Sequence, residues 1–207
     1  MSNLLKNWQN FPIIKLPWAK HFKKIDHYAY RSFNYNHLIR NFESLDFKVQ
    51  SERYLFQNLD VEALWLKNPL PKKSPKHFNI YTSQYIGPLK LPTINSKKDY
   101  EDVYNQNPYL AWISIFDNHL NHIAFSCDNI YNTYDFIADW EKIASDIIES
   151  RDGQIKQFST KPNMIRYEFP NGDIGFVPGV FFEFIQRVNE REGFEIGNSA
   201  RIYESTK

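Results

Sequence analysis

The stretches "DHYAYRS" (Asp26–Ser32) and "NHIAFSC" (Asn121–Cys127) decide the fold, because they are nearly the same sentence written twice. Each reads Asp or Asn, then His, any residue, Ala and an aromatic. Both alternate with the period of two that marks a strand. Residues two apart in a strand share a face. His27, Ala29 and Arg31 therefore point one way, and Tyr28 and Tyr30 the other. In the second copy His122, Ala124 and Ser126 share a face, opposite Ile123 and Phe125. A small alanine beside each histidine leaves room for something bound at the imidazole.

Working outward, the order of elements also repeats. After the first strand, residues 34–45 place Leu38, Ile39, Phe42 and Leu45 at helical spacing. Strand patterns follow at 47–56, 61–68 and 77–86, with a loop at 68–76 that holds three prolines and several lysines. Residues 87–108 read as a connector with a helical piece near 98–105, and 108–116 as a short helix. The second strand is followed by a predicted helix over 132–153, with Phe136, Ile137, Trp140, Ile143, Ala144 and Ile147 as its apolar stripe and Asp152-Gly153 at its end. Strand patterns return at 155–160, 164–170, 173–179 and 180–188, with Asn171-Gly172 as a hairpin turn. Strand, helix and several strands thus occur twice, each copy opening on the histidine motif. The alternative is an unrelated α+β domain with two chance histidines. The expected division is one domain, 1–207, with a first module at 22–86, a connector at 87–118 and a second module at 119–207. If the modules pack about a pseudo-twofold axis, both imidazoles converge on one cavity.

The composition permits a large core. Of 207 residues, 42% are hydrophobic and 17% aromatic. The formal net charge is +1 with acids and bases interspersed, so no basic stripe points to nucleic acid. Cys127 is the single cysteine, which excludes a disulfide framework and fits a reducing interior such as the cytosol. No window approaches the ~20 apolar residues that span a bilayer, and the N-terminal stretch is too polar for a signal peptide. A soluble, cytoplasmic protein with no membrane partner is expected; the oligomeric state is not legible.

A third group joins the histidines as a candidate. Glu183 stands between Phe182 and Phe184 in a run that otherwise calls for burial. A buried carboxylate needs compensation, either from a cation or from a salt bridge to Arg187 or Arg166. Two histidines and one carboxylate with open positions form the facial set that suits ferrous oxygenases, and the same set holds other divalent metals. A lone histidine of this kind is otherwise a hydrogen-bonded core residue. His21, His37, His77 and His119 lack the motif and read as surface or supporting residues. His119, three before His122, faces away from it on a straight strand.

At these residues the chain resembles the 2-oxoadipate dioxygenase/decarboxylase family, also called hydroxyglutarate synthases, of the vicinal oxygen chelate superfamily. The matching stretches are "DHYAYRSF" (26–33), "YLAW" (109–112), "NHIAF" (121–125), "QFST" (157–160), "FFEFIQR" (181–187) and "REGFEIGNSARIYEST" (191–206). The resemblance implies an α+β fold of paired βαβββ modules forming a half-open β-barrel with flanking helices. It implies that His27, His122 and Glu183 hold Fe(II), that Arg31 binds a substrate carboxylate, and that a 2-oxo acid and O2 are the small-molecule partners. Residues four apart on a strand are separated by ~13 Å, which suits the far end of a short diacid. Other metal-dependent chemistry on the same scaffold, a glyoxalase-like lyase or isomerase, and a non-catalytic metal-binding module are the alternatives. Phe125, Phe182 and Phe184 are candidate walls against water, although their parity favours the core. The chain departs from the family pattern in being shorter than its best-characterised members, in carrying Asp117 where a glycine is expected, and in having Val180 where a small residue is usual.

Overall fold

The computed structural model describes residues 22, 24–56, 60–74, 77–87, 90–138, 142, 147–190 and 193. Ten strands and four helices are found among them. The first half runs β1 (Ile25–Ser32), α1 (Asn36–Glu43), β2 (Lys48–Phe56), β3 (Val61–Lys67) and β4 (Asn79–Tyr85). Two helices follow, α2 (Lys97–Gln106) and α3 (Pro108–Phe116). The second half runs β5 (His119–Ser126), α4 (Ile130–Phe136), β6 (Ile148–Glu149), β7 (Ile155–Ser159), β8 (Met164–Glu168), β9 (Ile174–Pro178) and β10 (Phe181–Arg187). None of the described helices is long and apolar enough to cross a membrane.

Eight strands form one sheet in the order β2-β3-β4-β1-β5-β10-β7-β6. Its two halves mirror each other about the central antiparallel pair β1–β5. In each half the opening strand runs parallel to the closing one, β1 with β4 and β5 with β10. The closing strand then pairs antiparallel on its other side, β4 with β3 and β10 with β7. The sheet stays open, with β2 and β6 at its edges. The second half carries one addition, the β8–β9 hairpin, between β7 and β10. Its turn is where Asn171-Gly172 places it, with Gly172 at φ 88°.

Strand parity separates two faces. Tyr28, Tyr30, Ile123, Phe125, Phe182 and Phe184 are buried in one cluster with Leu38 and Phe42 of α1 and Ile130 of α4. Phe125, Phe182 and Phe184 therefore belong to the core and are not site walls. On the opposite face Ala29, Trp65 and Tyr81 pack with Tyr109 and Ile113 of α3. Beyond them Tyr100 of α2, Trp112 of α3 and Phe169 and Val177 of the hairpin form a further cluster. Local sequence sets these helices. Ser96 and Asp99 make a reciprocal capping box at the start of α2, and Asn107 caps α3 with Pro108 in its first turn.

The helix expected over 132–153 is corrected. It ends at Phe136, Ile137 is already extended, and Phe136 is exposed. Lys142 instead bridges to Thr160, and Ile148–Glu149 pair with β7. The edge at β7 and Thr160 thus takes Lys142 and Ile148–Glu149 as strand neighbours, and for these residues tertiary pairing overrides the helical period. Trp140, Ile143 and Ala144 of the expected stripe lie outside the described residues, as does the 191–206 stretch apart from Gly193.

α3 ends on Asp117 with φ 51° and ψ −130°, a region that glycine alone adopts easily. This is the position at which a glycine was expected. Asp117→Gly is predicted to stabilise the protein by about 1 kcal/mol, a rise of about 2–4 °C in thermal midpoint. An unchanged or lowered midpoint would show that no strain resides there.

Candidate metal centre

The central strand pair is irregular at two places, and these prepare the site. Ile25 faces Phe125 while His27 faces Ala124, so Asp26 is an extra residue on β1. Ala29 faces His122 while Tyr30 faces Leu120, so Asn121 is an extra residue on β5. A bulge of this kind re-aims side chains that strict alternation would send to opposite faces. Each extra residue can therefore reach the histidine that follows it. Asp26 Oδ1 accepts from His27 Nδ1 at 2.8 Å, and Asn121 Oδ1 accepts from His122 Nδ1 at 2.9 Å. Both acceptors assign the ring proton to Nδ1. Each Nε2 then carries a bare lone pair.

Those two lone pairs meet a carboxylate. β10 lies beside β5 with Glu183 opposite Ala124, which brings Glu183 to the same face. His27 Nε2 and His122 Nε2 are 3.3 Å apart. Glu183 Oε2 lies 3.6 Å from the first and 3.2 Å from the second. The three residues are 5%, 7% and 3% exposed. Three lone-pair donors gathered in a buried space repel one another unless a cation or a proton joins them. One ion bound at ~2.1 Å to each donor requires separations of roughly 3.0 Å at right angles or 3.4 Å at tetrahedral angles. The observed triangle has that size, and among the described residues it is the group of three such side chains placed to hold a metal ion. Burial pushes His122 down to about 4, against the pull of Glu183, so the ring is neutral at pH 7 as ligation requires.

Around the triangle, Phe181 stacks on His122 with centroids 4.7 Å apart, and Trp65 lies 5.1 Å from His27. Arg187, on the same face of β10 as Glu183, grips Asp26 through Nε and Nη2 at 2.7 and 2.8 Å. Burial alone would raise the Asp26 carboxyl, yet the Arg187 guanidinium and His27 hold it far below the usual carboxylate range. The salt bridge from Arg187 thus goes to Asp26 and not to Glu183, while Arg166 stands exposed on β8.

Arg31 is fully buried on the same face as His27, its Cζ 3.9 Å from the Trp112 ring centroid and 5.3 Å from that of Tyr109. His119 needs a correction. The bulge at Asn121 reverses the parity of everything before it, so His119 pairs directly with Arg31 and faces the site side. His77 is also corrected: it is buried and bonds Leu70 O through Nδ1, closing its loop. His37 is exposed and His21 lies outside the described residues. Sequence reasoning passed over Asp26, Asn121, Phe181 and Trp65, and it named Arg187 only as a possible partner of Glu183. The signal for the first two was present in the Asp or Asn that precedes each histidine.

Residues 82–190, just over half the chain, match the family model described as 2-oxoadipate dioxygenase/decarboxylase. The chloroplastic/amyloplastic 2-oxoadipate dioxygenase/decarboxylase of Oryza sativa subsp. japonica is 27% identical over 52% of this chain and 37% of its own length. The chloroplastic protein of that name from Arabidopsis thaliana is 24% identical over 52% and 36%. The chain therefore matches little more than a third of each curated relative. The crystal structure of the Oryza sativa hydroxyglutarate synthase in complex with 2-oxoadipate superposes with a TM-score of 0.80 at 19% identity, covering 98% of this chain and 90% of that one. A glyoxalase superfamily protein from Ralstonia eutropha superposes at 0.69 with 14% identity, covering 91% and 82%. At such identities the likeness concerns the fold, and it bears out paired βαβββ modules in a half-open sheet with flanking helices.

Buried His122 gives the metal-free protein a pH dependence. His122 is held at about 4 chiefly by burial, whereas an unfolded histidine titrates near ~6.5. Between these values the unfolded chain takes up a proton that the fold refuses, so stability is complete above ~6.5 and falls as pH drops toward 4. Asp26 is also lowered but contributes constantly above ~5, where its folded and unfolded states are both ionised. Chelator-treated protein is expected to lose at least about 2 kcal/mol between pH 7 and pH 5 in denaturant unfolding, since burial also lowers His119 to about 4 and adds to the loss. Equal or greater stability at pH 5 would contradict the neutral assignment.

Proposed function

The chain belongs to the 2-oxoadipate dioxygenase/decarboxylase family, and from that premise we propose that it is an Fe(II)-dependent dioxygenase that decarboxylates a 2-oxo dicarboxylic acid. The reaction of this type converts 2-oxoadipate and O2 to 2-hydroxyglutarate and carbon dioxide. The single observation that carries the proposal is the buried triangle of His27, His122 and Glu183.

In this reading His27 and His122 offer Nε2, and Glu183 offers Oε2. A ferrous ion in this set supplies electrons for oxygen chemistry and open positions for a chelating 2-oxo acid. The chain's own residues do the rest. Asp26 and Asn121 fix the tautomer and the ring plane of each histidine through Nδ1. Arg187 restrains Asp26. Phe181 and Trp65 cover the imidazoles and exclude water. Arg31 receives the far carboxylate of the acid, its guanidinium braced on Trp112. Residues 22–86 and 119–207 act as the two modules around connector 87–118 in a single domain, a division that the mirrored strand order supports. The lone Cys127 favours a reducing compartment such as the cytosol.

His27→Ala and Glu183→Ala are each expected to abolish metal retention and turnover, measured by metal analysis and by oxygen uptake with 2-oxoadipate. Arg31→Ala is expected to keep the metal and raise KM about 100-fold, from the loss of a charge-assisted bond. Metal retained by both ligand variants would overturn the site. Turnover of the acid without oxygen would favour a lyase.

A further inference from the structure

Behind Glu183 stands a buried hydroxyl with nothing to bond. Ser159 of β7 is 5% exposed, and its Oγ makes no hydrogen bond among the described residues. Register fixes the face it occupies. His27, Ala124, Glu183 and Ser159 form one row across β1, β5, β10 and β7, each paired directly with the next. Directly paired residues share a face of the sheet. The row thus starts at His27, passes the small Ala124, reaches Glu183 and ends at Ser159, one strand beyond the carboxylate and away from the histidines.

The ladder between β10 and β7 brings the last two close together. Thr160 N donates to Phe182 O at 2.8 Å, and Val188 N donates to Gln154 O at 2.8 Å. Hydrogen-bonded and non-hydrogen-bonded pairs alternate along an antiparallel ladder, so Glu183 and Ser159 form a non-hydrogen-bonded pair, the kind whose side chains approach most closely. Their Cβ atoms are then about 4.5–5.5 Å apart. A carboxylate and a hydroxyl can meet across such a gap, because the terminal torsion of a glutamate is soft and serine χ1 has three wells.

The two histidines show what Glu183 lacks. Asp26 holds His27 and Asn121 holds His122, each through the ring nitrogen that faces away from the triangle. Glu183 turns Oε2 toward both Nε2 atoms and takes a hydrogen bond from no further side chain among the described residues. Carboxylates that ligate metals are themselves hydrogen-bonded, and a buried hydroxyl without a partner is unfavourable. One O–H···O bond satisfies both groups.

We propose that Ser159 is a positioning residue of the metal centre, its O–H donating to the outer oxygen of Glu183 when Oε2 serves a cation. This rests on the metal site of the function proposed above and gives its third ligand the support that the two histidines already have.

The test uses chelator-stripped wild type, Ser159→Ala and Ser159→Thr. Fe(II) affinity is measured by competition with a chromogenic chelator, with oxygen excluded, and the thermal midpoint of each metal-free protein is recorded beside it. Ser159→Ala is expected to bind Fe(II) about 10-fold more weakly. Its metal-free midpoint is expected to hold or rise, because the hydroxyl removed has no bond to lose there. Ser159→Thr keeps the hydroxyl and is expected to bind Fe(II) as the wild type does. Undiminished affinity in Ser159→Ala, equal loss in both variants, or a lowered metal-free midpoint of Ser159→Ala would overturn this role and leave the proposed function standing. A wild type that binds no Fe(II) would overturn both.

Discussion

Three lone pairs crowded into a dry space are the constraint on which the rest of the molecule turns. Two imidazole nitrogens 3.3 Å apart, with a carboxylate oxygen 3.2 Å from one of them, are mutually repulsive in the absence of positive charge. Hydrogen bonds cannot relieve the arrangement from within, because Asp26 and Asn121 already hold the ring protons on the far side of each imidazole. The fold spends its most buried strands on this contact. β1, β5 and β10 lie at the centre of the sheet, and their other face is anchored by Tyr28, Ile123, Phe125, Phe182 and Phe184. A rigid apolar core on one side thus fixes the polar cluster on the other.

The two halves are alike in strand order but not in chemistry. His27 leans on a carboxylate that is gripped by Arg187, while His122 leans on a neutral amide. A carboxylate partner makes an imidazole a stronger donor than an amide does. Arg187 draws part of that charge away and ties β10 to β1. The strand that supplies Glu183 therefore also restrains the group that orients His27, so candidate ligands from both halves of the chain are set by one connected network. Arg31, the aromatic side of α3 and the hairpin cluster cap the same face farther along β1.

Much of this was legible in the residues. The doubled histidine motif located the central strand pair, and strand parity put His27, Ala29 and Arg31 on one face and the aromatics on the other. Glu183 was conspicuous as a charge amid phenylalanines. The misses have physical causes. His119 was placed on the wrong face because parity counting assumes a straight strand, and a bulge at Asn121 cannot be counted from composition. The long helix stops at Phe136 because an apolar stripe says nothing of the strand edge beside β7, which takes Lys142 and Ile148–Glu149. Arg187 or Arg166 was a possible salt-bridge partner for Glu183, whereas Asp26 reaches Arg187 from across the sheet. Such contacts depend on register, which only the folded chain supplies.

The account stands or falls on whether a cation relieves that crowding. The most direct measurement is the thermal midpoint of chelator-stripped protein as a function of added Fe(II), with oxygen excluded. The account predicts a midpoint that climbs steadily with the logarithm of metal concentration once the site is saturated, as binding to the folded state alone requires. A midpoint indifferent to Fe(II) across the same range would contradict it.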